Sequence, residues 1–222
     1  MYNLNAIETA AGLLSQQYIS AVKLLREEAR IVATDPAASR RQLSNAHKLV
    51  KSQSDTRRKE LIAETLWAVK SSQMMPPDRK CLANTQEALV NQVRSQFLLE
   101  TVAVDNQLSV MQTARRMGSL QSVSATLNQM KMPITSISRD GKKILAERYV
   151  YLVARGAFIA LHNDSRVIDA EGADNELHLE VINTDKGHRH HGARLTVEEY
   201  WQVRDTWFHP NTQSLLHIKG DD

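Results

Sequence analysis

The sequence predicts an α+β protein: an N-terminal, mainly helical bundle with one long helix, then a small antiparallel sheet with one helix. Residues 78–131 contain no proline and a single glycine, Gly118, which favours a helix of many turns. Residues 176–182 alternate apolar and polar side chains, which is typical of a half-buried antiparallel strand. We therefore divide the chain into a helical bundle, residues 1–133, and a small α+β domain, residues 134–222.

A shift in composition supports this division. Residues 1–140 carry 18 basic and 12 acidic side chains, a net charge of +6, whereas residues 141–222 carry 10 and 13, a net charge of −3. His47 is the only histidine of the first part, and the other seven lie between His162 and His217. The Asp140-Gly141 pair, a strong turn signal, lies at the point of change.

The totals exclude several classes of protein. A chain of 222 residues with 42% apolar and 24% charged residues is ordinary for a globular protein. No apolar run approaches the ~20 residues needed to cross a bilayer, and the start lacks the pattern of a signal peptide. We expect a soluble protein of the cytoplasm or another intracellular compartment. Cys81 is the only cysteine, which excludes an internal disulfide. It is expected to be a small core residue rather than a reactive thiol.

The first helix is predicted to begin at Asn3 or Asn5, either of which can cap it, and to stop before Pro36. Its apolar residues alternate in threes and fours, which predicts a heptad-like seam: Leu4, Ile7, Ala11, Leu14, Tyr18, Ala21 and Leu25. Asp35 and Pro36 then suit the cap and first position of a second helix. Within it, the polar residues 51–60 form either an exposed helical face or a break.

The long helix is predicted to follow the prolines at 76 and 77. Its stripe consists of Val93, Phe97, Val104, Leu108 and Met111. Gly118-Ser119 is either a kink or an end at which Ser119 caps a new helix. Met117 is expected to fill the core beside the stripe rather than to form part of an adaptable binding surface. Because so long a stripe cannot be buried alone, other helices or another copy of the chain must cover it.

The C-terminal part is predicted from shorter signals. Residues 143–155 fit a helix or a strand equally well, while residues 158–161 and 166–169 are predicted as strands. Thr196 and Glu199 match a capping box that opens a helix. Residues 214–218 are predicted to return as an edge strand.

The histidine-rich loop carries the most specific chemical signal. Imidazole is the commonest metal ligand among side chains and titrates near neutral pH. A divalent metal such as zinc would take its ligands from four candidates: His178, His188, His190 and His191. Asp185 is an alternative ligand, and one of these histidines could instead act as an acid or base. The alternative is a solvated loop, and no cofactor is then expected.

A basic stripe lies in the second predicted helix, and one acidic residue, Asp55, lies between its basic residues. Its residues are Arg40, Arg41, Lys48, Lys51, Arg57, Arg58 and Lys59. Such a stripe can follow the phosphates of nucleic acid or an anionic membrane surface. The alternative is a solvated helix face. No aromatic residues are interleaved, which argues against recognition of single strands.

One stretch resembles a known family. Residues Asn106–Val110, Gly118–Gln121 and Met132–Ile134 resemble the end of the helical hairpin of ESCRT-III membrane-remodelling proteins. The basic N-terminal helix, acidic C-terminal tail and partner-binding motif of that family are missing, and a β-rich part replaces them. We therefore do not assign the chain to it.

Three functional hypotheses follow. The chain lacks a glycine-rich phosphate loop, a nucleophile elbow and paired carboxylates, which argues against common enzyme classes. The leading hypothesis is a non-enzymatic interaction or assembly protein whose helices bind a protein partner or form a homo-oligomer. The second is a binder of nucleic acid or anionic surfaces that uses the basic stripe. The third is a small hydrolase or nuclease with a histidine-rich C-terminal site.

Overall fold

The computed structural model describes residues 4–34, 40–72, 77–131, 135–137, 143–171, 179–208, 212 and 214–218. Within these residues the chain has long N-terminal helices and a small antiparallel sheet with a helix near the C-terminus, which confirms the predicted fold class. The helices are α1 (Leu4–Thr34), α2 (Arg40–Ser71), α3 (Arg79–Arg116), α4 (Leu120–Lys131), α5 (Ala146–Glu171) and α6 (Val197–Trp207). The strands are β1 (Thr135–Ile137), β2 (Lys143–Leu145), β3 (Leu179–Asn183), β4 (Arg194–Leu195) and β5 (Ser214–Ile218).

The chain forms two compact units, each assembled from segments distant in sequence. The sheet unit comprises residues 1–14, 65–90 and 150–222, and the helical unit comprises residues 15–64 and 91–149. Long helices therefore contribute to both. The predicted division between residues 133 and 134 concerns independent folding, and it stays a prediction.

The seam predicted along α1 is buried. Leu14, Tyr18 and Leu25 are almost fully buried, as are Leu4, Ile7 and Ala11. The seam departs from the prediction at one position, because Val22 is fully buried while Ala21 is only half-buried. In the helical unit, Arg26 of α1 pairs with the buried Glu100 of α3 at 2.9 Å. Asn5, one of the two predicted caps, lies inside α1 instead. The other predicted caps, Asn3 and Asp35, lie outside the described residues.

Helix α2 runs without a break through residues 51–60. The stretch contains neither glycine nor proline, and Ser54 is buried, with its Oγ 2.8 Å from Thr101 Oγ1 of α3. Asp78 caps α3, since its Oδ1 accepts the backbone amides of Lys80 and Cys81 at 2.9 and 2.8 Å.

The predicted long helix is two helices, because α3 ends at a glycine cap. Gly118 has a φ of +69°, the left-handed conformation that closes many helices. The amide of Ser119 bonds the carbonyl of Ala114, and that of Gly118 bonds the carbonyl of Arg115, which is the Schellman pattern. Ser119 then caps α4, its Oγ accepting the amide of Ser122 at 3.3 Å. Of the two alternatives, a true end is correct.

Helix α5 corrects two predictions. Residues 158–161 and 166–169 are not strands but lie inside this helix of 26 residues, and Gly156 does not interrupt it. Of the ambiguous residues 143–155, the first three form β2, which pairs antiparallel with β1, and the rest are helical. Helix α5 buries residues on several sides, and a run of buried apolar residues does not distinguish a helix from a buried strand.

The sheet has the strand order β4-β3-β5, and both pairings are antiparallel. Leu179 and Val181 of β3 are fully buried, as their alternation predicts, while residues 176–178 lie outside the described part. β5 is an edge strand of this sheet, as predicted. The capping box of Thr196 and Glu199 opens α6. Within the described residues, no helix combines the length and the apolar character needed to cross a membrane.

Candidate interaction surfaces

The histidine loop is a series of tight turns between β3 and β4. The amide of His188 bonds the carbonyl of Asp185 at 3.0 Å, and the amide of His191 bonds the carbonyl of His188 at 2.9 Å. The carboxylate of Asp185, a predicted alternative ligand, accepts the amide of Gly187 at 2.9 Å. Backbone bonds therefore define the conformation of the loop.

Each of the three histidine rings in this loop uses one nitrogen as a local hydrogen-bond acceptor. Nδ1 of His188 accepts the amide of His190 at 3.3 Å, and Nδ1 of His191 accepts the amide of Asn183 at 3.1 Å. Nε2 of His190 accepts Nε of Arg189 at 2.9 Å. A metal ion binds a nitrogen through its lone pair, and these lone pairs already accept hydrogen bonds. To bind one of these nitrogens, a metal ion would have to displace that hydrogen bond.

The rings of His188 and His190 lie near each other, with 5.3 Å between centroids. His190 also stacks on Trp207 at 3.8 Å. Burial, followed by the positive charge of Arg189 and the neighbouring His188, lowers the pKa of His190 and favours its neutral form. His178 lies outside the described residues. Within the described part, no three His, Cys, Asp or Glu side chains are grouped to hold a metal. The metal and catalytic hypotheses stay predictions.

The basic stripe is uneven. Lys48, Lys51 and Lys59 are exposed, whereas Arg57 and Arg58 are half-buried. Arg58 pairs with Asp55 one turn earlier, at 2.9 Å. The predicted members Arg40 and Arg41 lie in α2, but their side chains are outside the described part. The three exposed lysines are therefore the described members best placed to meet phosphate.

Sequence reasoning missed a polar cluster in the sheet unit. Asp164 of α5 accepts the hydroxyl of Tyr200 at 2.6 Å and both Nε and Nη2 of Arg204, at 2.8 and 2.7 Å. Burial, and then the charge of Asp164, raises the pKa of Tyr200. Tyr200 and Arg204 face one partner because they are four residues apart on α6. No local motif marks Asp164, which is 36 residues from Tyr200. The cluster joins α6 to α5.

Cys81 is half-buried rather than fully buried as expected. Burial, and then the negative charges of Asp164 and Asp78, raises the pKa of its thiol to about 11. The thiolate is the reactive form of cysteine, so the side chain is a poor nucleophile near neutral pH.

Sequence reasoning also missed a second stripe on α3. Leu99, Val102, Val110 and Met117 are 64, 56, 53 and 78% exposed. At ~100° per residue they lie on the side of the helix away from the buried Val93, Phe97, Val104 and Leu108. Met117 is thus not core filler. Six residues of this side follow one another at alternating spacings of four and three, and all six are exposed. We call them the α3 exposed stripe: Leu99, Ala103, Asn106, Val110, Thr113 and Met117.

Comparison of the chain with models of known protein families, with curated proteins and with solved structures finds no match.

Proposed function

We propose that this chain is an interaction or assembly protein that binds another protein chain through the α3 exposed stripe. The observation that carries the proposal is the exposure of Leu99, Val102, Val110 and Met117 on one helix. Burial of apolar surface contributes about 25 cal/mol per Å², so covering these side chains would favour association.

The spacing of these residues supports a helix or groove as the binding surface. Leu99, Ala103, Asn106 and Val110 are separated by four, three and four residues. Partners that bind an amphipathic helix contact it at i, i+3 or i+4, and i+7. Single exposed apolar residues are normal on protein surfaces, whereas rows of them mark interaction sites.

The proposal is tested by photocrosslinking in cells and by light scattering of the purified full chain. A photoreactive amino acid at position 110 is expected to form adducts, whereas the same group at position 94 is not. Arg94 is equally an exposed residue of α3, but it lies away from the stripe, which makes it the matched control. A chain that stays monomeric at all concentrations and forms no adduct at position 110 would refute the proposal.

A second candidate function rests on the exposed lysines of α2. Lys48, Lys51 and Lys59 lie within about 80° of one another around the helix, so they present charge to one side. Such a patch binds polyanions by releasing counterions, and its affinity falls as salt rises. We expect K48E/K51E/K59E to elute from heparin at lower salt than the wild type and to unfold at the same urea concentration. Elution at unchanged salt would exclude this function.

A further inference from the structure

We infer that the partner of the α3 exposed stripe is a second copy of this chain, paired parallel and in register as a two-stranded coiled coil. This inference rests on the proposed function and names its partner. The stripe follows the four-three alternation of a heptad seam from Leu99 to Met117. At ~1.5 Å per residue the seam is about 27 Å long.

The absence of charge on this face favours self-association. No member of the stripe is charged, and neither are the residues that flank the middle of the seam, Val102, Gln107 and Ser109. The two charged flanking residues, Glu100 and Arg116, lie near its ends. An excess of one charge on a face repels the same face of a second copy, which disfavours homodimers. Here no such repulsion arises. Coiled coils that select a different partner commonly do so with charges beside the seam. The middle of this seam has none there, and Glu100, near its start, is already paired with Arg26 of the same chain.

Asn106 defines the register. It is exposed and lies near the middle of the stripe, between Ala103 and Val110. In a parallel, in-register pair each Asn106 faces Asn106 of the other copy, and the two amides can exchange donor and acceptor. A heptad seam alternates between two kinds of position, a and d, and Asn106 is of the opposite kind to Ala103 and Val110. In an antiparallel pair each position of one kind faces a position of the other kind, so Asn106 would meet Ala103 or Val110. A buried amide without a partner costs roughly 1–3 kcal/mol, so the parallel register is favoured. A polar residue at one seam position sets the register of many coiled coils.

Self-association is measured with the full chain by sedimentation equilibrium over a concentration series. We expect the wild type to dimerise, L99E/V110E to remain monomeric, and R94E to dimerise like the wild type. Because Leu99, Val110 and Arg94 are all exposed, the three proteins should have the same circular dichroism, and the same urea midpoint at a concentration low enough to keep the wild type monomeric. A monomeric wild type, or a dimer unaffected by L99E/V110E, would overturn the inference.

Disulfide trapping tests the register. In a C81S chain, V110C is expected to crosslink to itself on mild oxidation, because the parallel register places the two positions opposite each other. R94C in the same background is the control and is expected not to crosslink. A dimer in which V110C does not crosslink to itself overturns the parallel register. We also expect N106L to associate more tightly than the wild type but into a mixture of oligomers, as happens when a coiled-coil seam loses a buried asparagine.

The two proposals fail in different ways. A monomeric chain that still forms adducts with other proteins at position 110 refutes self-association and keeps the proposed function. A monomeric chain without such adducts refutes both.

Discussion

Helices α3 and α5 are both long and rich in apolar residues, yet they differ in what they leave exposed. The exposed side chains of α5 are all charged: Glu147, Arg148, Asp169 and Glu171. Those of α3 include Leu99, Val110 and Met117. In the sheet unit, Tyr200 and Arg204 of α6 bond Asp164, and β5 bonds Asn163, so these elements cover α5. Apolar content alone therefore does not distinguish a helix that is covered on several sides from one that leaves apolar side chains exposed.

The largest expected effect comes from truncating one apolar residue in each helix. Phe158 of α5 is fully buried, so F158A should lower the free energy of unfolding by about 4 kcal/mol through lost burial and a cavity. L99A removes an exposed side chain and should change the free energy of unfolding by less than about 0.5 kcal/mol. Urea unfolding at low protein concentration, where the chain is monomeric, measures both. Equal losses would mean that α3 and α5 do not differ as described.

A smaller effect should come from pH, through His162 of α5. Burial, followed by the charge of Arg166, lowers the pKa of His162 from 6.5 to about 4. Its Nε2 is buried without a hydrogen-bond partner among the described residues. Between pH 6.5 and 4 the unfolded chain binds a proton that the folded chain does not, so stability falls as pH falls. The loss should reach about 3 kcal/mol at pH 4.

Other groups also titrate in this range, so the readout is a difference between two proteins. H162N cannot titrate there, and its stability should change less with pH than that of the wild type. Urea unfolding of both proteins from pH 7 to pH 4 measures the difference. Parallel stability curves would show that His162 has an ordinary pKa in the folded chain.

The smallest effect concerns two glycines, one just after the end of a helix and one inside a helix. Gly118 ends α3 with a φ of +69°, so G118A should destabilise the chain by about 1 kcal/mol through backbone strain. Gly12 lies inside α1, so G12A should stabilise it by about 1 kcal/mol. An added Cβ meets no atom within 4 Å at either position, which makes the pair a matched control for steric clash. Thermal unfolding shows whether each variant raises or lowers the melting temperature. A change in the same direction for both variants would contradict the glycine cap.

Features set by neighbours along the chain were predictable from the sequence. The capping box of Thr196 and Glu199 forms as predicted, because both of its bonds join residues three apart. Ser119 caps α4, as one of the two alternatives stated. The seam of α1 was also predictable except at Ala21, since helical periodicity fixes which residues share a face.

The nature of α5 was not predictable, because a helix covered on several sides and a buried strand produce similar apolar runs. The histidine loop was visible as a sequence pattern. The pattern did not show which groups the histidine rings bond. They accept hydrogen bonds from Arg189 and from backbone amides, and these partners depend on the geometry of the turns rather than on composition.

The sequence by itself determined where most helices begin and end, because caps and periodicity act over a few residues. Tertiary structure decided whether a second face of a helix is covered as well. Helix α3 has apolar residues on two sides. The predicted stripe is buried, but local sequence does not indicate whether neighbouring helices also cover the other side. Packing against α1 and α2 in the helical unit, through Glu100 and Thr101, covers one side and leaves Leu99 and Val110 exposed. Burial depends on contacts between residues far apart in the chain, and only the folded arrangement supplies them.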